Sequence, residues 1–183
     1  MSDYRPLPLR EIAKQGHVGT GSATPGIHLA IEHPISLVQV MARKGAGKRV
    51  SETLASSKAL RVMQAGPDQY FVQGWGKAEG ALDAELKEKL GSDVSVVDQS
   101  HGRVVIIISG PKSRAVLAKG TPVDFHPHHF KHGQSAQTQM AHASVHITRI
   151  GADEFAMSVF RSFSESLWEW LCSQAEEFGC QVQ

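Results

Sequence analysis

At 183 residues the chain is long enough to bury roughly two thirds of the surface its unfolded form would expose, so a core can form without disulfide or metal staples. Hydrophobic residues at 41% and charged residues at 20% exclude wholesale disorder and fibrous repeats. With Lys and Arg at 19, Asp and Glu at 18 and a formal charge of +1, no overall field draws the chain onto nucleic acid or anionic lipid, and any partner must be found by shape.

Residues 1–34 contain Pro6, Pro8, Pro25 and Pro34 and show no sustained helical or strand period, which predicts an extended N-terminal arm. A disordered tail and an arm laid across another subunit are both open readings of this segment. Met1 to Arg5 are followed by prolines and charges rather than an apolar signal core. The longest apolar runs, such as Val104 to Ile108, are strand-sized, so no export and no membrane span is expected and the cytoplasm is the expected location. Residues 35–183 read as a single domain.

Ile35 to Met41 predicts a strand, the basic run Arg43 to Arg49 breaks it, and a short helix follows over about 50–57. Residues 60–64 and 69–73 read as two strands joined by Gly66-Pro67-Asp68, where proline pre-sets φ and aspartate bonds its own backbone. Leu82, Leu86 and Leu90 share one face of a helix over 79–90 that Gly91 stops. Strands are expected over 92–98 and 103–109; the second is the most β-branched stretch and so the central one. Gly110-Pro111 opens a helix to Lys119, and residues 135–149 alternate as a strand with 154–159 as its hairpin partner. Ser162 to Phe178 closes the chain as a helix, with Ser162 or Ser164 available to cap it. Neighbouring strands mixed with crossover helices predict an α+β fold, a mostly antiparallel sheet with packed helices.

His126, His128, His129 and His132 fall within seven residues, but a proline interrupts them and no helix presents them at i and i+4, so a solvated or interface loop is expected rather than a metal site. The run Ala42 to Arg49 departs from a phosphate-binding loop at Ala42 and Arg49. Dinucleotide, nucleophile-elbow and Cys-x-x-Cys signatures are absent, and an Asp124, His126, Ser135 triad is weak in a chain with ten histidines. No catalytic, cofactor-binding or metal residue is therefore assigned. Cys172 and Cys180 lie about 12 Å apart along a helix, too far for a disulfide, which fits a reducing compartment. Trp168 and Trp170 are about 200° apart around their helix, so one core cannot take both. Arg161, Phe163, Trp168 and Trp170 are the candidate interface residues, expected to meet another chain.

The segment Pro122-Val123-Asp124-Phe125-His126-Pro127, then Phe130, Gly133, Ala136, Thr138 and Phe155, then Arg161-Ser162-Phe163 and Leu167-Trp168-Glu169-Trp170-Leu171, resembles the gamma subunits of heterotetrameric sarcosine oxidases. Gly66-Pro67-Asp68 and Gly110-Pro111 extend the likeness over most of residues 35–179. It implies a fold similar to the folate-binding domain of glycine-cleavage aminomethyltransferases. It further implies an accessory role beside alpha, beta and delta subunits in a complex that demethylates sarcosine or a related N-methyl amino acid. The one-carbon unit would pass to tetrahydrofolate and hydrogen peroxide would form. The resemblance puts FAD, FMN, NAD, tetrahydrofolate and zinc in the partner subunits and none in this chain. The alternative function is a stand-alone folate-binding one-carbon enzyme.

Overall fold

The structure, a computed structural model, describes residues 8–19 and 24–183. They form two compact units: Pro34–Gly102, and Arg103–Gln183 together with the described part of Leu7–His33. The fold class is α+β with mostly antiparallel pairing, as the sequence predicts. The division differs from the expected arm over 1–34 followed by one domain over 35–183.

In the first unit, β3 (Ser36–Ala42), β4 (Arg61–Gly66), β5 (Gln69–Gly74) and β6 (Val94–Asp98) make an antiparallel sheet in the order β4-β5-β3-β6. The helices α1 (Gly47–Ala55) and α2 (Ala81–Leu90) cover one face of it. Leu82, Leu86 and Leu90, each 1% exposed, pack with Val50 and Leu54 of α1 against Val38, Val40 and Val72. The i, i+4, i+8 spacing of those leucines dictates this burial, at roughly 1.5–3 kcal/mol for each side chain. The 66–68 turn forms as expected, with Asp68 at φ 55°. Helix α1 begins at Gly47 rather than near residue 50, so the end of the basic run is its first turn.

The second unit holds β1 (Gly16–Val18), β2 (Ile27–Ile31), β7 (Arg103–Ser109), β8 (Ser135–Met140), β9 (Ala143–Arg149), β10 (Glu154–Phe160) and β11 (Cys180–Val182) in one sheet. Their order is β1-β11-β2-β7-β10-β9-β8, with β11 and β2 the parallel pair. The β-branched strand β7 is central, as expected. Most of the predicted arm is thus structured: Ile27, Leu29 and Ile31 alternate with His28 and Ala30, and β2 pairs directly with β7. Prolines at 25 and 34 bracket that strand and do not interrupt it. Residues 1–7 and 20–23 of the expected arm lie outside the described residues.

Residues 135–149, expected as one strand, fold back on themselves as the β8–β9 hairpin. Its two-residue turn is Ala141-His142, with φ of 49° and 65°. Alanine and histidine carry no turn signal, which is why periodicity runs through them. The helices α3 (Ser113–Gly120) and α4 (Ser164–Ala175) pack on the face of the sheet that carries Ile106, Ile108, Phe155, Met157, Val145 and Ile147. Pro111 sits in the turn ahead of α3, which begins at Ser113. The expected serine cap of α4 is not made; Ser164 Oγ instead donates to Arg161 O at 2.7 Å in a 3-10 turn over Arg161–Phe163.

Cys172 and Cys180 are both free, the first on α4 and the second on β11. Burial, with a smaller contribution from Cys172, pushes the Cys180 thiol up from 9.0 to about 12. The folded state therefore keeps a proton that the unfolded chain gives up above pH 9.0. This contribution to stability is whole below that pH and is lost as pH climbs toward about 12. Unfolding free energies from urea titrations through this window should fall more steeply for the natural chain than for Cys180→Ala, by up to about 1.4 kcal/mol per pH unit. Parallel profiles would remove Cys180 as the cause.

Candidate functional site

Three features of the second unit concentrate exposed or strained chemistry. The first is the corner where β10 ends and α4 begins. Strand alternation turns Phe155, Met157 and Val159 into the core and leaves Phe160 43% exposed. Phe163, on the 3-10 turn, is 48% exposed, and Arg161 between them is exposed as well. Phe160 lies across the ladder from Arg103, whose guanidinium stands 4.1 Å from the centre of the ring. Burial holds the Arg103 guanidinium below its ordinary basicity. A cation stacked on an outward phenyl is the anatomy of an interface anchor. Arg161 and Phe163, two of the expected interface residues, are exposed at this corner; Phe160 and Arg103 were missed, although the alternation along 154–160 already turns Phe160 away from the core.

Trp168 does not belong to this surface. It is 2% exposed and packs with Leu167, Leu171 and Ala175 in the core, which corrects its expected role at an interface. Trp170 is half-buried against the edge of the same cluster. The core takes one of the two tryptophans, as the angle between them predicts, and the other lies on the glycine that ends α3. A Cβ at Gly120 would stand 2.4 Å from Trp170 Cη2 and 2.8 Å from Met140 Cγ, so only glycine lets the indole lie down there.

The second feature is the pocket beside that indole. It has a volume of ≈ 540 Å³ and is lined by Lys119, Pro122, Gln139, His142 and Trp170, with Gly120 and Ala141. The positive φ at both Ala141 and His142 turns the imidazole to an exposed position on the rim. Lys119 Nζ donates to Gln174 O at 3.1 Å, pairs with the Glu177 carboxylate and stands 5.0 Å from the Phe178 ring. The floor is apolar and the rim polar, the layout of small binding sites.

The third feature is the histidine loop between α3 and β8. Phe125 and Phe130, each 3% exposed, pin it into the core against Phe155, with ring centres 5.4 to 6.3 Å apart. The imidazoles of His126 and His128 stack at 5.1 Å on the outside, with His129 at 5.9 Å from His126. Asp124 Oδ1 accepts the backbone N–H of His126 at 2.8 Å, and His132 is tied elsewhere, 3.0 Å from Ile150 O. Among the described residues no three metal-ligating side chains converge. Ser135 bonds Thr148 at 2.8 Å, so the Asp124, His126, Ser135 triad is not assembled. At the basic run of the first unit, a Cβ on Gly47 would strike Asp68 Oδ1, so a carboxylate lies against the first turn of α1, an unfavourable neighbour for a phosphate.

Comparison with known proteins bears on these features. The family described as "Sarcosine oxidase, gamma subunit family" matches residues 30–177. The sarcosine oxidase subunit gamma of Corynebacterium sp. (strain P-1) is 30% identical over 176 residues, spanning 96% of this chain and 83% of that protein. The sarcosine oxidase subunit gamma of Arthrobacter sp. is 30% identical over 175 residues, 93% of this chain and 81% of its own length. Among solved structures, a chain of the heterotetrameric sarcosine oxidase from Corynebacterium sp. U-96 superposes with a TM-score of 0.74 at 23% identity, covering 86% of this chain and 88% of that one. The glycine cleavage system aminomethyltransferase T from Bartonella henselae superposes with a TM-score of 0.61 at 19% identity, over 84% of this chain and 47% of that one. The two likenesses establish the fold expected from the sequence. Among the described residues no helix is long and apolar enough to cross a membrane.

Proposed function

This chain belongs to the sarcosine oxidase gamma subunit family, and on that premise we propose that it is the accessory gamma subunit of a heterotetrameric sarcosine-oxidase-like complex, assembled with alpha, beta and delta subunits. In this reading the complex removes the methyl group of sarcosine or a related N-methyl amino acid. The methyl carbon is oxidised, its electrons pass through flavin to oxygen to give hydrogen peroxide, and the carbon is taken up by tetrahydrofolate. FAD, FMN, NAD, tetrahydrofolate and zinc belong to the other subunits, and the complex works in the cytoplasm, where both thiols stay reduced.

The observation that supports an assembly role is the Phe160, Arg161, Phe163 corner: two exposed phenyls flank an exposed arginine, with a second arginine stacked beneath Phe160. Aromatic and arginine side chains dominate the energetics of protein interfaces. Co-expression with the neighbouring flavoprotein subunits, followed by purification through a tag on one of them, should recover this chain in stoichiometric amount. Phe163→Asp should weaken the association by about tenfold or more while leaving the melting temperature of the isolated chain almost unchanged, because the side chain is already exposed. Flavoprotein subunits that assemble and turn over fully without this chain would refute the reading. Saturable tetrahydrofolate binding by the isolated chain would point instead to the stand-alone folate-binding enzyme.

A further inference from the structure

Strand β8 is an edge, the last in the order of the seven-stranded sheet, and it pairs with β9 on one side. Its hydrogen-bonding phase follows from the turn. A two-residue hairpin makes Met140 and Ala143 a bonded pair, so Thr138 with Val145 and Ala136 with Ile147 are bonded pairs too. The bond from Arg149 N to Gln134 O, at 3.0 Å, continues the same phase. The backbone N–H and C=O groups of Ser135, Gln137 and Gln139 must then point away from β9. Among the described residues, the contact made to them is a long one, from Thr138 Oγ1 to Gln139 O at 3.4 Å.

The other edges carry the devices by which proteins discourage strand addition. At the far side of the same sheet β1 is three residues long. In the four-stranded sheet, β4 has a register shift between Gln64 and Gly66, and β6 ends on Asp98. The sequence of β8, Ser-Ala-Gln-Thr-Gln-Met, has no charge and no proline, and its register is unbroken over six residues. An edge of that kind is a template for another strand.

The edge also leads somewhere. Gln139, Ala141 and His142 at its end line the ≈ 540 Å³ pocket over Trp170. Lys119, paired with the Glu177 carboxylate, and the imidazole of His142 stand on its rim, and among the described residues no carboxylate lines it. Val159, Val145 and Thr138 share one row across β10, β9 and β8. Phe160 therefore lies one residue further along, two strands from Gln139 and roughly 10 Å away. The pocket and the aromatic corner occupy the same end of the sheet.

We propose that β8 is the docking strand for an extended segment of a partner subunit, which adds to the open edge of the sheet and seats an apolar side chain, flanked by a carboxylate, in the Trp170 pocket. This rests on the assembly proposed above. Backbone bonds to Ser135, Gln137 and Gln139 give the segment its hold, and the indole floor with the Lys119 ammonium on the rim selects the side chain.

Amide-resolved hydrogen exchange on the co-purified complex and on the isolated chain tests it. The amides of Ser135, Gln137 and Gln139 should exchange at least about tenfold more slowly in the complex, while those of Ala136, Thr138 and Met140, already bonded to β9, change little. Gln137→Pro removes one outward donor and no ladder bond, so it should keep the melting temperature of the isolated chain and lose at least about tenfold in partner affinity. Should that variant misfold, the exchange pattern of the natural chain still decides. An intact complex in which those three amides exchange as in the free chain overturns the docking strand and leaves the assembly standing; failure of the natural chain to join any complex overturns both. Concentration-dependent protection of the same amides in the isolated chain would assign the edge to a second copy of this chain and overturn the proposal.

Discussion

Phe155→Ala is expected to lower the stability of the chain by about 3–5 kcal/mol, enough to drop the melting temperature by about 10 °C or more. Phe155 is fully buried and meets Phe125 edge-on at 5.5 Å and Phe130 at 6.3 Å, while the Arg114 guanidinium stands 5.6 Å from its ring. Truncation removes the apolar burial and leaves a cavity bordered by two phenyls that belong to a loop. Loop residues relax more readily than strand residues, so the cavity should be filled at the expense of the loop's own order. The histidines from 126 to 132 would then move together, and trypsin should cut after Lys131 much faster than in the natural chain. Phe155→Leu keeps most of the volume and should recover more than half of the loss. Urea denaturation with limited proteolysis measures both effects; a cost below about 1 kcal/mol with unchanged cleavage would show that Phe155 does not anchor the loop.

Arg149→Ala is expected to cost about 2–3 kcal/mol, through unmade hydrogen bonds rather than lost volume. Its Nε donates to Gly151 O at 3.0 Å, one Nη to Phe130 O at 2.9 Å and the other to Ala152 O at 2.9 Å. Arg114 joins the same turn from α3, through Phe125 O at 3.0 Å and through Ala152 O and the Asp153 carboxylate. Two guanidinium groups thus bind the histidine loop and the β9–β10 turn into one piece. Burial, and then the like charge of Arg149, lower the basicity of Arg114, so removing Arg149 relieves some repulsion and keeps the cost below the sum of three charged hydrogen bonds. Arg149→Lys retains the charge but cannot reach three carbonyls from one ammonium, and should restore less than half. Full recovery by lysine in a denaturation series would make the effect one of charge alone.

The parts of this fold that a single sequence displays are those where one period governs a whole segment. The leucines at 82, 86 and 90 mark α2 because nothing interrupts them, and the unbroken β-branched run marks β7 as the centre of its sheet. Ile27, Leu29 and Ile31 carry an equally clear alternation, but the density of prolines and glycines on either side hides a strand that gains its stability from β7, a distant segment. Cys180 to Val182 is three residues long, too short for any period. The Ala141-His142 turn contains neither glycine nor asparagine; the pairing of β8 with β9 imposes its positive φ values from outside. The candidate site follows the same division. Arg161 and Phe163 were expected at the start of the closing helix as interface residues, and they lie exposed in the 3-10 turn ahead of it. Trp168 was assigned to the wrong environment because helix geometry gives the angle between the two indoles and not which of them the core takes; Trp170 rests on Gly120, fifty residues upstream.

The seating of β11 between β1 and β2 bears on how the protein is made. Among the described residues the first unit is one unbroken stretch, Pro34–Gly102, which emerges from the ribosome before β7. The second is split around it: β2 waits for β7, which arrives more than seventy residues later, and β1 reaches the sheet through β11, whose last residue is Val182. Synthesis therefore delivers a unit able to fold early, followed by one in which β2 gains its partner only with β7, and β1 its partner only with β11. Until β7 is released the apolar strand Ile27–Ile31 has no neighbour in its sheet, and an unpaired apolar strand is a route to aggregation of nascent chains.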